Sequence, residues 1–139
     1  MTEKSHIWKP LRENTPNVQW TRVENTAVPG APDIHGFRHG RDIWIETKIF
    51  HGNKISFRPT QIAWIMKRQA HGGNTWILAR RNDSMLLYKS TALQTLLDAG
   101  VVAIDGVKSG RANPDLVFTE SLAFPKPFNW QRLETVLFL

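Results

Sequence analysis

Residues Asp42 to Phe50 read D-I-W-I-E-T-K-I-F and constrain the fold more than any other stretch. Ile43, Trp44, Ile45 and Ile49 make a strand that is apolar on both faces, which belongs inside a sheet and not at its edge. Glu46 and Lys48 stand two residues apart, so both project from one face of that strand. Burying an unneutralised charge is costly, and a core strand keeps such a pair only where partners or a metal offset the cost. Taken alone, E-x-K reads more simply as an ion pair on a half-exposed strand. The surrounding residues have to decide between the two.

A hairpin supplies the first partner. Asp33 to Phe37 and Asp42 to Phe50 read as its arms, with His39-Gly40 as the turn and glycine providing the positive φ that a two-residue turn requires. That turn sets Arg38 opposite Arg41. Five residues outward along each arm, Asp33 comes to lie opposite Glu46, with Cβ atoms roughly 4.5–5.5 Å apart. Two carboxylates so close repel unless something positive lies between them. Mg²⁺ suits that place, because it takes oxygen ligands, usually one or two carboxylates plus water and substrate phosphate. A lysine beside it can orient an attacking water or stabilise the charge of a phosphorane-like transition state.

Charge points the same way. Lys and Arg outnumber Asp and Glu by 18 to 12, a net charge of +6, which suits a polyanionic partner such as nucleic acid. Carboxylates, lysine, metal and a basic surface together point to phosphodiester hydrolysis. Arg38, Arg41, Lys54, Arg58, Lys67, Arg68, Arg80 and Arg81 cluster around the proposed site in sequence and are candidates for holding phosphates, with binding that weakens as salt rises.

The rest of the chain reads as one α/β domain over residues 1–139, a mixed sheet flanked by helices. A helix is expected over Ser5 to Glu13, with Ser5 as N-cap, then a strand from Val18 to Glu24 and a loop from Asn25 to Pro32. After a loop at His51 to Lys54, Pro59 opens a helix that runs through Gln61 and Arg68 to a Gly72-Gly73 stop. Strands follow at Thr75 to Ala79 and Met85 to Tyr88, turning at Asn82-Asp83, then a helix from Thr91 to Ala99 ended by Gly100. The tail is irregular, with Pro114-Asp115 read as the start of a turn and a last helix from Asn129 to Phe138. The apolar ending L-E-T-V-L-F-L is expected to dock on the core, a homodimer contact being the alternative. With no cysteine, no signal-peptide core and no apolar run near the ~20 residues of a membrane span, the expected setting is a reducing cytoplasm, the host's if the chain is viral, with no membrane partner.

These motifs resemble a known family. Pro32-Asp33 followed by Glu46-Thr47-Lys48 matches the pattern of the PD-(D/E)XK nuclease superfamily. The likeness is to its VRR-NUC branch and to short phage nucleases of that type. It is carried by R-V-E-N (Arg22 to Asn25), G-A-P-D (Gly30 to Asp33), W-I-E-T-K (Trp44 to Lys48) and R-P-T-Q (Arg58 to Gln61). The resemblance implies a restriction-endonuclease-like fold and a Mg²⁺- or Mn²⁺-dependent DNA endonuclease. Relatives often act on branched DNA, Holliday junctions included, and often work as homodimers. It makes Asp33 and Glu46 metal ligands, with a backbone carbonyl from Ile45, and makes Lys48 the catalytic lysine. Gln61 would contact water or phosphate. The family's upstream acidic residue falls on Glu24, with Glu13 as the alternative. A nucleic-acid-binding protein that keeps the nuclease fold without cutting, and an RNA or tRNA nuclease, are the rival readings.

Overall fold

The computed structural model describes residues 1–23 and 29–139. A six-stranded mixed sheet forms its centre, in the order β1 (Gln19–Arg22), β2 (Ile34–Arg38), β3 (Arg41–Ile49), β5 (Thr75–Arg81), β6 (Ser84–Lys89) and β8 (Leu122–Pro125). Two further strands, β4 (Ile55–Phe57) and β7 (Val102–Ile104), pair in parallel as a separate small sheet. The expected mixed sheet flanked by helices is the architecture observed. β3 lies within the sheet, antiparallel to β2 on one side and parallel to β5 on the other.

The hairpin has the expected register. Arg38 pairs with Arg41 and Ile34 with Ile45, and the turn residues His39 and Gly40 have φ of 49° and 77°. Positive φ at both central residues is the type I′ pattern that matches the right-handed twist of the flanking strands. The β5–β6 hairpin turns at Asn82, also left-handed with φ of 52°. Asparagine tolerates that region because its short amide bonds locally.

Each sheet face carries its own core. On one, Ile77, Ala79, Leu86 and Tyr88 pack beneath α2 (Pro59–Ala70), α3 (Leu93–Asp98) and the β4–β7 pair, through Ile62, Ile65, Leu93, Leu96, Phe57 and Val102. On the other, Ile34, Ile43, Ile45, Leu78, Met85 and Leu87 pack against the N-terminal helical segment and α5 (Trp130–Leu137). Leu133, Leu137 and Phe138 are buried there, so the apolar tail docks on the core. The N-terminal segment begins as a π-helical turn, Lys4–Trp8, and continues as α1 (Lys9–Asn14). Ser5 is therefore inside the helix and not its cap. Lys9 closes the turn with an i→i−5 bond to the Lys4 carbonyl.

Four elements differ from expectation. The strands β4 and β7 have three residues each, too few for alternation to show. Pro114 opens a helix, α4 (Pro114–Thr119), where a turn start is expected; Asn113 caps it by accepting from Asp115 N, which leaves the ringed nitrogen at the position that needs no donor. β8 forms on the proline-punctuated tail because Lys126 and the strand run along β6 at the sheet margin. Among the described residues, no helix is long and apolar enough to cross a membrane.

Candidate active site

The hairpin that sets the register also creates a notch. β2 pairs with β3 only as far as Ile34 opposite Ile45, whereas β3 continues to Ile49 alongside β5. Where β2 stops, Asp33 folds its side chain across to Thr47: Oδ1 accepts from the Thr47 N–H at 2.9 Å and Oδ2 from the Thr47 hydroxyl. Asp33 itself is anchored on its other side, its carbonyl accepting from Val23 N at 2.7 Å.

Glu46 is 3% exposed, and Lys48, half-buried, stands on the same face. Gln61, in the first turn of α2, joins them. Its Oε1 accepts from Lys48 Nζ at 3.0 Å and from Arg58 N at 2.9 Å, and its Nε2 donates to Glu46 Oε2 at 3.3 Å. Lys48 and the Arg58 amide can only donate, so they fix which way round the amide lies. The Lys48 ammonium also stands 4.5 Å from the centre of the Phe57 ring, a cation–π contact that holds its stem.

A third carboxylate arrives from the chain's start. Glu3 Oε2 lies 3.4 Å from the Thr47 hydroxyl oxygen, whose proton is turned to Asp33, and Glu3 lines the same cleft as Asp33, Glu46 and Lys48. The cleft is about 750 Å³ in volume, and Asp105, just after β7, and Arg58 stand at its wall. All three carboxyls, Glu46 buried and Glu3 and Asp33 half-buried, are harder to ionise than usual. For Glu46 the shift is well above the ordinary range, caused first by burial and then by the Asp33 charge, with Lys48 opposing. Burial likewise raises Glu3, with Asp33 adding to the effect, and raises Asp33 against the pull of its two Thr47 bonds. Lys48, with Arg58 acting on Glu46 and Arg22 on Glu3, does not offset the burial and crowding of the three acids.

That excess of negative charge fits a hard cation. Among the described residues, no three His, Cys, Asp or Glu side chains converge tightly enough to cage an ion unaided. The backbone offers a further oxygen. Trp44 N donates to Asn74 O, so by alternation Ile45 and Thr47 turn their N–H and C=O toward β2. Ile45 is engaged there opposite Ile34, within the ladder. Thr47, two residues further, falls opposite Pro32, which has no N–H to give its carbonyl. The carbonyl beyond the ladder's end thus belongs to Thr47.

The other sequence candidates divide. Arg58 stands at the cleft. Arg38 pairs with Glu134 at 3.3 Å and Arg41 donates to the Phe138 carbonyl at 3.3 Å, both at the hairpin's turn, five residues from the carboxylates. Lys54 donates to Ser109 at 2.6 Å, and Arg68 stacks on Trp64. Arg80 is buried and donates to the His6 carbonyl. Glu24 lies outside the described residues, and Glu13 is exposed near the far end of α1. Glu3 was missed, although a signal existed: it precedes Ile7 and Leu11 by four and eight residues, on the stripe those two bury.

Loop and helix are brought together by Gly30. Its φ is +85°, and a Cβ there would lie 2.0 Å from the Thr60 carbonyl in the first turn of α2. Gly30→Ala is therefore expected to push the Gly30–Asp33 loop off the helix, lowering stability by about 2 kcal/mol or more in urea denaturation. An unchanged midpoint would contradict the packing described.

The fold has a solved counterpart. Hjc, a Holliday junction resolvase from the archaeal hyperthermophile Archaeoglobus fulgidus, aligns over 85% of this chain and 93% of its own with a TM-score of 0.56 and 12% sequence identity. At that identity the likeness establishes a shared fold. No protein-family model matches the chain, and no curated protein does.

Proposed function

We propose that this chain is a metal-dependent endonuclease of the PD-(D/E)XK type that hydrolyses DNA phosphodiesters, with branched DNA as its substrate. The observation that carries this reading is the joining of Asp33, Glu46 and Lys48 at the notch, with Gln61 bonded to both members of the E-x-K pair. The fold shared with a Holliday junction resolvase supports it and makes a four-way junction the first substrate to try. The VRR-NUC-like spacing of the motifs belongs to the same reading.

In this proposal Asp33, Glu46 and the Thr47 carbonyl hold Mg²⁺ or Mn²⁺, with Glu3 as the upstream acid acting directly or through water. When bound, such a cation supplies Lewis acidity toward the phosphate and a water of lowered pKa. Lys48, held by Gln61 and Phe57, sets its ammonium beside the carboxylates, where it stabilises the negative charge that builds on the phosphoryl oxygens. Arg58, exposed at the rim, meets the strand's phosphate. Gln61 is a positioning residue. With Gln61→Ala, Lys48 and Glu46 lose their shared tether, and cleavage is expected to fall by roughly 10- to 100-fold, chiefly in kcat, as for other groups that orient a site from behind. Equal kcat in parent and variant would remove that role.

Cutting both strands of a junction at once takes two such clefts, so two copies working as a homodimer belong to the same proposal. The test is nicking of supercoiled plasmid in Mg²⁺ or Mn²⁺, then a labelled four-way junction against linear duplex and RNA. Cleavage that needs the cation and prefers the junction is the expected result. Retained DNA binding with no cleavage in either cation would make the chain a nucleic-acid-binding protein, and preference for RNA would change its substrate.

A further inference from the structure

Beyond the cleft, the face of β3 that carries Glu46 and Lys48 continues to Trp44, two residues away. There a stack of rings and cations is built that the chemistry above does not use. Trp44 meets Trp64 of α2 edge-on with ring centres 5.5 Å apart, and the Arg68 guanidinium lies 4.5 Å from the centre of Trp64 and 5.8 Å from that of Trp44. His35 closes the other end, its ring 4.9 Å from Trp44 and its Nε2 tied to Asp42 at 2.7 Å. Both tryptophans are only half-buried, while Lys67, Arg68 and His71 are exposed. Trp64 and these three line a shallow hollow of about 470 Å³ that contains no carboxylate.

An apolar floor ringed by cations is complementary to a nucleotide, the base against the floor and the phosphate against the rim. Base faces are inaccessible in a stacked duplex and open in an unpaired strand, where aromatic rings and guanidinium planes receive them. The hollow lies about 10 Å along α2 from Gln61, by the helical rise over seven residues. A nucleotide seated there is close enough to belong to the strand being cut. We infer that the Trp44–Trp64–Arg68 stack binds an unpaired base next to the cleaved phosphate, with Lys67 and His71 facing its backbone. This rests on the nuclease reading and narrows it: at the branch point, where stacking is interrupted, a base leaves its pair for the hollow, which an uninterrupted duplex does not offer.

The experiment separates the two claims because binding needs no cleavage. In EDTA, anisotropy of labelled dT12 is compared with that of the dA12·dT12 duplex at one salt concentration, for the parent protein and for Arg68→Ala, Arg68→Lys and Trp64→Ala. The parent should bind the single strand more tightly. Stacking on one ring or guanidinium accounts for roughly a tenfold change in affinity, so Arg68→Ala and Trp64→Ala should each weaken dT12 binding about tenfold. Arg68→Lys keeps the charge and the fold but loses the plane, and should restore duplex binding without restoring dT12 binding. Equal affinity for strand and duplex, or an Arg68→Lys variant that binds dT12 like the parent, overturns the inference. If the plasmid is nicked while dT12 gains nothing, the stack falls and the nuclease stands. Tight dT12 binding without metal-dependent cleavage means the opposite: the stack stands and the nuclease falls.

Discussion

Glu46→Gln is expected to abolish metal-dependent cleavage and yet to stabilise the protein at neutral pH without divalent cations. The amide keeps an acceptor for Gln61 and removes a charge that burial, Asp33 and Glu3 all oppose. Losing a ligand that contributes several kcal/mol of transition-state stabilisation should cost about 10³-fold or more in rate. The stability effect follows by linkage. Glu46, Glu3 and Asp33 all hold their protons more tightly folded than unfolded. The folded state therefore binds more protons between the two pKa values. Stability is at its full value below the unfolded carboxylate pKa of about 4, and falls as pH climbs through the raised folded values. Mg²⁺ should recover it, by about 2.7 kcal/mol when the cation exceeds its Kd a hundredfold. Thermal melts from pH 4.5 to 8, with and without Mg²⁺, check this. A parent protein whose melting temperature rises with pH in EDTA, or a glutamine variant that Mg²⁺ stabilises as well as the parent, would sink it.

Lys48→Met should separate from Glu46→Gln in sign. Methionine keeps an unbranched stem against Phe57 but removes the only side-chain cation bonded to Gln61 among the described residues. Cleavage should fall by roughly 10²- to 10³-fold, as for loss of one electrostatic contact to developing charge. The cation-induced rise in melting temperature should persist, because the carboxylates remain. Without cation, this variant should be less stable at neutral pH than the parent, since three crowded acids lose one of the charges that lower their cost. Single-turnover rates and melts measured together test the pair. If Lys48→Met cuts at the parental rate, the lysine has no role in the chemistry.

How far these residues could be read in advance depended on how local their cause was. His39-Gly40 dictates its own turn, and the turn dictates the register, so Ile34 opposite Ile45, with Asp33 just beyond the ladder's end, followed from short-range chemistry. The same is true of the α2 start at Pro59 and its stop at Gly72. Glu3 could not be found this way, because its place depends on packing of a helix across the far sheet face onto Thr47, 44 residues on. Nor could the fate of Arg38 and Arg41, which meet Glu134 and Phe138 only after α5 docks. Sequence proximity made them look like phosphate ligands; tertiary contact gave them partners in the protein itself. β4 and β7 are too short to show a period, and each is held by the other.

One more consequence follows from β2 ending early. From Thr47 onward, among the described residues, no strand accompanies β3 on its β2 side, so a length of strand margin stands open within the sheet. An open margin invites any extended chain to add to it, and is a usual route to aggregation. Here the first donor on that margin, the Thr47 N–H, is already taken by the Asp33 carboxylate, and Glu3 adds a second negative charge beside it. The acids proposed to hold a metal also keep foreign strands away, so the same charges that make the site costly to fold help to keep the chain from aggregating by strand addition.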